Sequence, residues 1–360
     1  MVLRKKRYDY IDIAKGVCIL TIVLFHIDFS YWSDNIIGVY LSRFTSFFKV
    51  TLFFCLSGLT LKEEKLFKTR EFIINKIRKL YLKVVIIGIV FVLLHNLFII
   101  IGFYTNGEMY SGKLMFHYSP VDVIKECFFS LLLANREVMI GPLWFGNVLF
   151  IALMIEAIIS AFTKKTKFSH GREIRLAISF FLMVVGWILS ECLSINIPRF
   201  NNSLSALFLI DFTQYLTEVK KVTFDNYKVF IIAVVICLLS PLAGSFSMNK
   251  NSIINPAFFV IITFSFMYSI MFLTKKIEKL PLNVLKTIGK YSFEIMAYQF
   301  LSFKIASLII LEDTGLLVPH AENAFMLLYY LLFGISLPVL IGVVIGKIKS
   351  IKRKKINETD

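Results

Sequence analysis

The sequence predicts an all-α polytopic membrane protein of about ten transmembrane helices, with both termini in the cytosol. Three observations predict this. Of the 360 residues, 57% are hydrophobic, and the mean hydropathy is +0.74, too apolar for a soluble domain. Runs of about 20 mostly apolar residues, the length that crosses a bilayer, follow one another along the chain. Lys and Arg collect on alternate connections between those runs, as the positive-inside rule requires.

The elements follow in order. The first span is expected at 11–30, behind the basic run "RKKR". A basic start invites a signal-peptide reading, but the apolar stretch is long and no A-x-A site follows, so it is read as a retained span. The second span, 37–61, is the least apolar. Residues 62–83 then carry eight basic side chains before the third span at 84–103. The longest outer connection, 104–140, contains "DVIKECFFSLLLA", which reads as an interfacial amphipathic helix and a candidate lid. The fourth and fifth spans, 141–162 and 176–195, flank five basic residues at 163–175. The sixth and seventh, 203–219 and 229–246, flank three at 220–228. The eighth and ninth, 257–274 and 291–311, flank five at 275–290. The tenth, 324–346, precedes six in the tail at 347–355. Thus 31 of 40 basic residues lie on one side. A single membrane domain over 1–360 is expected, with a basic cytosolic N-terminus at 1–10, a basic cytosolic tail at 347–360 and no appended soluble domain.

This placement gives the net charge of +16 a topological meaning. The partners it implies are membrane lipids with anionic headgroups, not nucleic acid. The cysteines, Cys18, Cys55, Cys127, Cys192 and Cys237, stand singly, without a CxxC. They suggest small core residues, with no disulfide framework and no metal site.

The first span reads "DIAKGVCILTIVLFHIDF". Lys15 and His26 are eleven residues apart, three helical turns plus about 20°, so a continuous helix puts them on one face about 16 Å apart. Lys15 falls near the cytosolic boundary, where it can snorkel. His26 falls in the outer half, where an ionisable group faces a cavity or a polar partner. A histidine there either hydrogen-bonds a neighbouring helix or moves protons. Asp12 lies one turn from Lys15 and can pair with it. Glu156, Asp211, Glu294 and His95 also fall within spans, where each reads first as an interhelical bond. The sequence does not name a carboxylate partner for His26.

The stretch "YIDIAKGVCILTIVLFH" resembles the opening of the acyltransferase 3 family of integral membrane proteins. The family signature is a basic residue, ten residues, then histidine, and the basic residue is usually arginine. Here it is Lys15, in a D-x-x-K-G form that resembles the fucose 4-O-acetylase-like branch. "LFFCLSGLTL" at 52–61, "NKIRKLYLKVV" at 75–85, "GPLWFGNVLF" at 141–150 and "IGKYSFEIMAYQFLSFK" at 288–304 resemble later family segments in family order. One departure is Gln299, where the family commonly carries histidine; an amide hydrogen-bonds but does not titrate.

The resemblance implies transfer of an acyl group, usually acetyl, from cytosolic acetyl-CoA to a hydroxyl of a cell-surface or lipid-linked glycan, at the plasma membrane. Capsule and exopolysaccharide are the leading acceptors. His26 would act as general base or as a transient acyl carrier. Lys15 would join it in catalysis or bind the donor. Arg70, Lys76, Arg78 and Lys79 would hold the phosphates of CoA, or else serve topology alone. Trp144, Lys304 and Gln299 would face the acceptor. Two other function classes share the composition, a transporter or glycan flippase and a glycan polymerase. Neither the two similar halves of a transporter nor the large Arg-rich outer loop expected of a polymerase is present. A non-enzymatic scaffold predicts that His26 is dispensable.

Overall fold

The computed structural model describes residues 8–29, 35–110, 113–165, 171–244, 246–253, 255–310 and 318–357. The basic run at 4–7 and the last residues of the tail, 358–360, lie outside them, and the tail side chains are described only to 351. Among the described residues the fold is mostly helical, with only two-residue strands.

Helix α1 (Asp9–Leu24) is the central helix. It packs against α3 (Thr51–Thr60), α12 (Pro256–Ile277), α13 (Asn283–Lys290), α14 (Ser292–Ile309) and α15 (Ala324–Asn357). Small residues permit this. A Cβ on Gly16 would lie 2.4 Å from the Leu285 carbonyl oxygen, and one on Gly289 would lie 1.8 Å from that of Asp12. Only glycine lets the two backbones approach so closely.

Every interval in which the sequence predicts a span contains helix. Among the described residues, six helical segments are long and apolar enough to cross a membrane: Ile36–Thr60, Thr69–Ile100, Val138–Lys164, Gly171–Cys192, Pro256–Ile277 and Ala324–Ile351. The other four intervals hold shorter or more polar helices.

Two differences from the expected spans shape the site. The helix predicted over 11–30 ends at Leu24, and His26 follows in a turn, its N–H donating to the Val23 carbonyl at 3.1 Å. The chain then extends as β1 (Asp28–Phe29), which pairs in parallel with β4 (His320–Ala321). That pairing takes the Asp28 N–H to the Pro319 carbonyl at 2.9 Å and ends the helix. The span predicted over 37–61 is broken into α2 (Ile36–Ser46) and α3. At the break, the hydroxyls of Thr45, Ser46 and Thr51 bond back to carbonyls three or four residues earlier, the local competition that bends helices.

The rest frames these. Helix α4 (Glu63–Leu66) leads to α5 (Thr69–Lys76), which runs through a π turn at Ile77–Tyr81 into α6 (Leu82–Ile100). A hairpin of β2 (Met109–Tyr110) and β3 (Lys113–Leu114) precedes α7 (Pro120–Leu131). Helix α7 starts in a capping box between Ser119 and Asp122, whose two donated hydrogen bonds hold the Asp122 carboxyl below the usual range. Its Val121, Ile124 and Phe128 are exposed, the apolar face expected of an interfacial helix.

A 3-10 turn, Val138–Leu143, contains Pro142 and opens α8 (Trp144–Lys165). Helix α9 (Gly171–Trp187) ends in a π turn at Ile188–Cys192. Helix α10 (Phe200–Glu218) is buried along 201–211 despite its polar residues, and α11 (Tyr227–Leu239) precedes α12.

Several charged side chains inside the bundle are paired. Arg175, fully buried, donates to Ser160 at 2.7 Å and Glu63 at 2.8 Å, with Glu156 at 3.8 Å. Arg172 binds Gln214 and Glu218, and Asp211 accepts from Ser179. Lys83 binds Glu294 at 2.8 Å. These partners explain how charge is tolerated there.

Candidate functional site

His26 stands at the end of α1, in a cavity of about 210 Å³. From α2 and the break that follows it come Ser46 and Lys49; from the turn and start of α8 come Pro142, Trp144 and Phe145; from α14 comes Met296. The segment 246–249 closes the rest with Phe246, Ser247, Met248 and Asn249.

Local sequence explains each placement. Proline at the start of a helix costs no hydrogen bond there, so Pro142 sets the turn that delivers Trp144 to the cavity. The segment 246–253 is tied to α10 by buried amides. Asn202 donates to the Met248 and Asn249 carbonyls at 2.7 and 2.6 Å, and Ser205 donates to Asn251 at 2.8 Å.

The His26 ring is fixed by α14. Its Nδ1 lies 3.3 Å from Gln299 Oε1, and its face meets Phe300 edge-on at 5.3 Å. An amide oxygen only accepts, so Nδ1 carries a proton, and in the neutral ring Nε2 keeps its lone pair. Gln299 is fully buried, and its Nε2 has no hydrogen-bond acceptor among the described residues.

The carboxylates weighed as partners for His26 are engaged elsewhere: Glu156 and Asp211 in the Arg175–Arg172 network, and Glu294 with Lys83. Asp28 meets His320 at 3.0 Å. His95 forms a separate pair, its Nδ1 2.8 Å from Glu137 and its Nε2 3.1 Å from the Phe116 carbonyl, stacked on Tyr118 at 3.6 Å. Tyr104 donates to Glu137 and accepts from the Met139 N–H. Burial and the Glu137 carboxylate push the Tyr104 phenol well up, which keeps it a donor. This cluster anchors the segment that runs into Pro142 and Trp144.

Of the residues singled out in sequence, the structure brings together His26, Gln299 and Trp144. Lys304 is buried, its ammonium 5.5 Å from the Tyr110 ring, and it does not line the cavity. Lys15 lies near the middle of α1, beside the Gly16 crossing. Arg70 lines a shallow depression with Lys68 and Glu71, and Arg78 and Lys79 are exposed in the π turn that follows α5. Lys76 sits over the Phe72 ring at 5.2 Å.

Sequence reasoning missed Lys49, Ser46 and Asn249. Lys49 is one of the nine basic residues outside the basic loops and termini, and the break at 47–50 that brings it to the cavity carries no proline or glycine. Among the described residues, no group of three or more His, Cys, Asp or Glu is placed to hold a metal ion.

A family model described as an acyltransferase domain matches residues 8–347. No curated protein and no solved structure matches the chain.

Proposed function

From the premise that the chain belongs to the acyltransferase 3 family, we propose that it is a glycan O-acetyltransferase of the plasma membrane. Acetyl-CoA is the donor on the cytosolic side, and a hydroxyl of a cell-surface or lipid-linked glycan is the acceptor. In this reading the chain crosses the membrane about ten times, with both termini in the cytosol. The observation that carries it is His26, held by Gln299 at 3.3 Å in a cavity that Trp144 also lines.

The chemistry follows from the ring. A sugar hydroxyl is a weak nucleophile until a base takes its proton. His26 Nε2 accepts that proton as the hydroxyl oxygen attacks the thioester carbonyl. The new ester C–O bond forms, the C–S bond breaks, and CoA leaves as the thiolate, which takes the proton. Alternatively Nε2 itself attacks the thioester and takes the acetyl group as CoA leaves as the thiolate; the hydroxyl oxygen then takes the acetyl group, the N–C bond breaks, and the hydroxyl proton passes to the thiolate. A cavity of about 210 Å³ is smaller than a site enclosing a whole drug-sized ligand. It suits the reacting end of a larger molecule. Lys15, Arg70, Lys76, Arg78 and Lys79 occupy the cytosolic side in this topology and suit the polyanionic donor.

Membrane vesicles supplied with acetyl-labelled acetyl-CoA and the cell's own polysaccharide test the reading. Base-labile label enters the polymer with the native chain and not with His26→Ala at equal abundance. Equal labelling by vesicles lacking the protein would overturn it.

A further inference from the structure

The cavity around His26 has a one-sided charge. Among the described residues no Asp or Glu lines it, while Lys49 does. The Lys49 ammonium has an aromatic neighbour, the Phe25 ring at 5.0 Å, and forms no ion pair among the described residues. At the rim stands a second cation. Arg199 donates to Asn249 Oδ1 at 2.9 Å, and its guanidinium lies 6.0 Å from the ring of Trp144. Both Asn249 and Trp144 line the cavity. Arg199 likewise forms no ion pair among the described residues.

This contrasts with several cations elsewhere in the molecule. Lys83, Arg172, Arg175, Lys275 and Lys286 each meet a carboxylate within 4.0 Å. A cation withdrawn from water without a counter-charge is costly, and within a membrane protein it marks a place where something charged is handled. The backbone points the same way. Arg199 has φ 65°, a left-handed conformation that is unfavourable for a non-glycine residue. Two hydrogen bonds from Ser203 to its carbonyl hold it there. Strain so maintained, at a residue reaching a cavity, is the pattern of a working site.

We propose that the acceptor is anionic: a carboxylate or phosphate on the sugar unit that is acylated sits between Lys49 and Arg199 and turns a hydroxyl of that unit toward His26. This rests on the acyltransferase reading and names the substrate class of the same site. Lys49 supplies a point charge, and Arg199 supplies a planar fork suited to two oxygens. The Ser46 and Ser247 hydroxyls stand beside them in the lining. A neutral sugar would leave both cations unpaired, so the site discriminates against it.

Proton, carbon-13 and phosphorus-31 NMR of polysaccharide from cells with the native chain and from a deletion tests this without any variant. The acetyl group that depends on the chain should sit on a residue bearing a carboxylate or a phosphate, and the two nuclei tell which. An acetyl group on a residue bearing neither overturns the proposal while leaving the acyltransferase reading intact. If no acetyl group depends on the chain, that reading falls and the proposal with it. Lys49→Gln, at normal membrane abundance, should lower acetylation about tenfold or more, since a buried charge partner is lost, and Lys49→Arg should lower it less. Unchanged acetylation in Lys49→Gln also overturns the proposal.

Discussion

His26 and Gln299, 273 residues apart in the chain, meet with Nδ1 3.3 Å from Oε1. The contact fixes the ring from behind and reserves Nε2 for the cavity. Gln299→Leu keeps the volume and removes the acceptor. Losing one partner of a buried hydrogen bond costs about 1–3 kcal/mol, so acetyl transfer should fall roughly 5- to 150-fold. Initial rates in vesicles with matched protein abundance check this. Unchanged rates would mean that Gln299 does not orient the ring.

Gly289 lies where a Cβ would sit 1.8 Å from the Asp12 carbonyl oxygen. Gly289→Ala must push α13 away from α1, and overpacking of this kind costs about 1–3 kcal/mol or more. The purified variant should melt earlier. Gly171→Ala is the control, because nothing lies within 4 Å of a Cβ there, and its melting temperature should be unchanged or slightly higher.

Arg175 is 1% exposed and shares Glu63 and Glu156. Arg175→Met leaves Glu156, fully buried, without its cation. Breaking a buried pair in this way costs about 3–5 kcal/mol, which a shortened half-life in detergent at fixed temperature would reveal. The Asp225–Lys275 pair, at 2.9 Å with Asp225 53% exposed, offers the contrast, and Asp225→Asn should cost about 0–1 kcal/mol. The Lys275 ammonium bonded to Asp225 holds that carboxyl below its usual range. Its small contribution is therefore present above the ordinary carboxyl value of about 4 and is lost as pH falls through the lower folded value.

Glu137 joins His95, Tyr104 and, through Tyr104, the Met139 N–H. Glu137→Leu leaves the His95 Nδ1 and the Tyr104 hydroxyl without their acceptor. The connection 104–118 should then be cut faster by added protease in intact cells, and transfer should fall as the turn before Trp144 loosens. Equal cleavage of both forms would show that the cluster does not hold this connection.

The sequence was most legible where a charge broke an apolar run. His26 was visible because imidazole does not belong among Leu and Phe, and Trp144 through its place in the family-like segment "GPLWFGNVLF". Gln299 was visible only as a departure from a family pattern. Lys49 and Arg199 stayed hidden for physical reasons. Lys49 faces the cavity because hydroxyls bend the chain at 47–50, a competition between weak local bonds that no spacing rule encodes. Arg199 reaches the rim through a left-handed φ, held by the Ser203 N–H and hydroxyl, that its residue type does not announce. Lys304 matched a family segment, and its side chain is buried near the Tyr110 ring and does not line the cavity. The end of the first helix was misplaced because β1 pairs with a segment nearly 300 residues away.

The central claim is that His26 performs the transfer of an acyl group to a glycan. Proton NMR of purified polysaccharide, before and after mild base, tests it most directly in cells carrying the native chain, a deletion or His26→Ala at normal membrane abundance. The account predicts an O-acetyl signal in the native sample, removed by base, and absent from both the deletion and His26→Ala. Full acetylation in His26→Ala, or in a deletion whose only defect is less or shorter polymer, would contradict it.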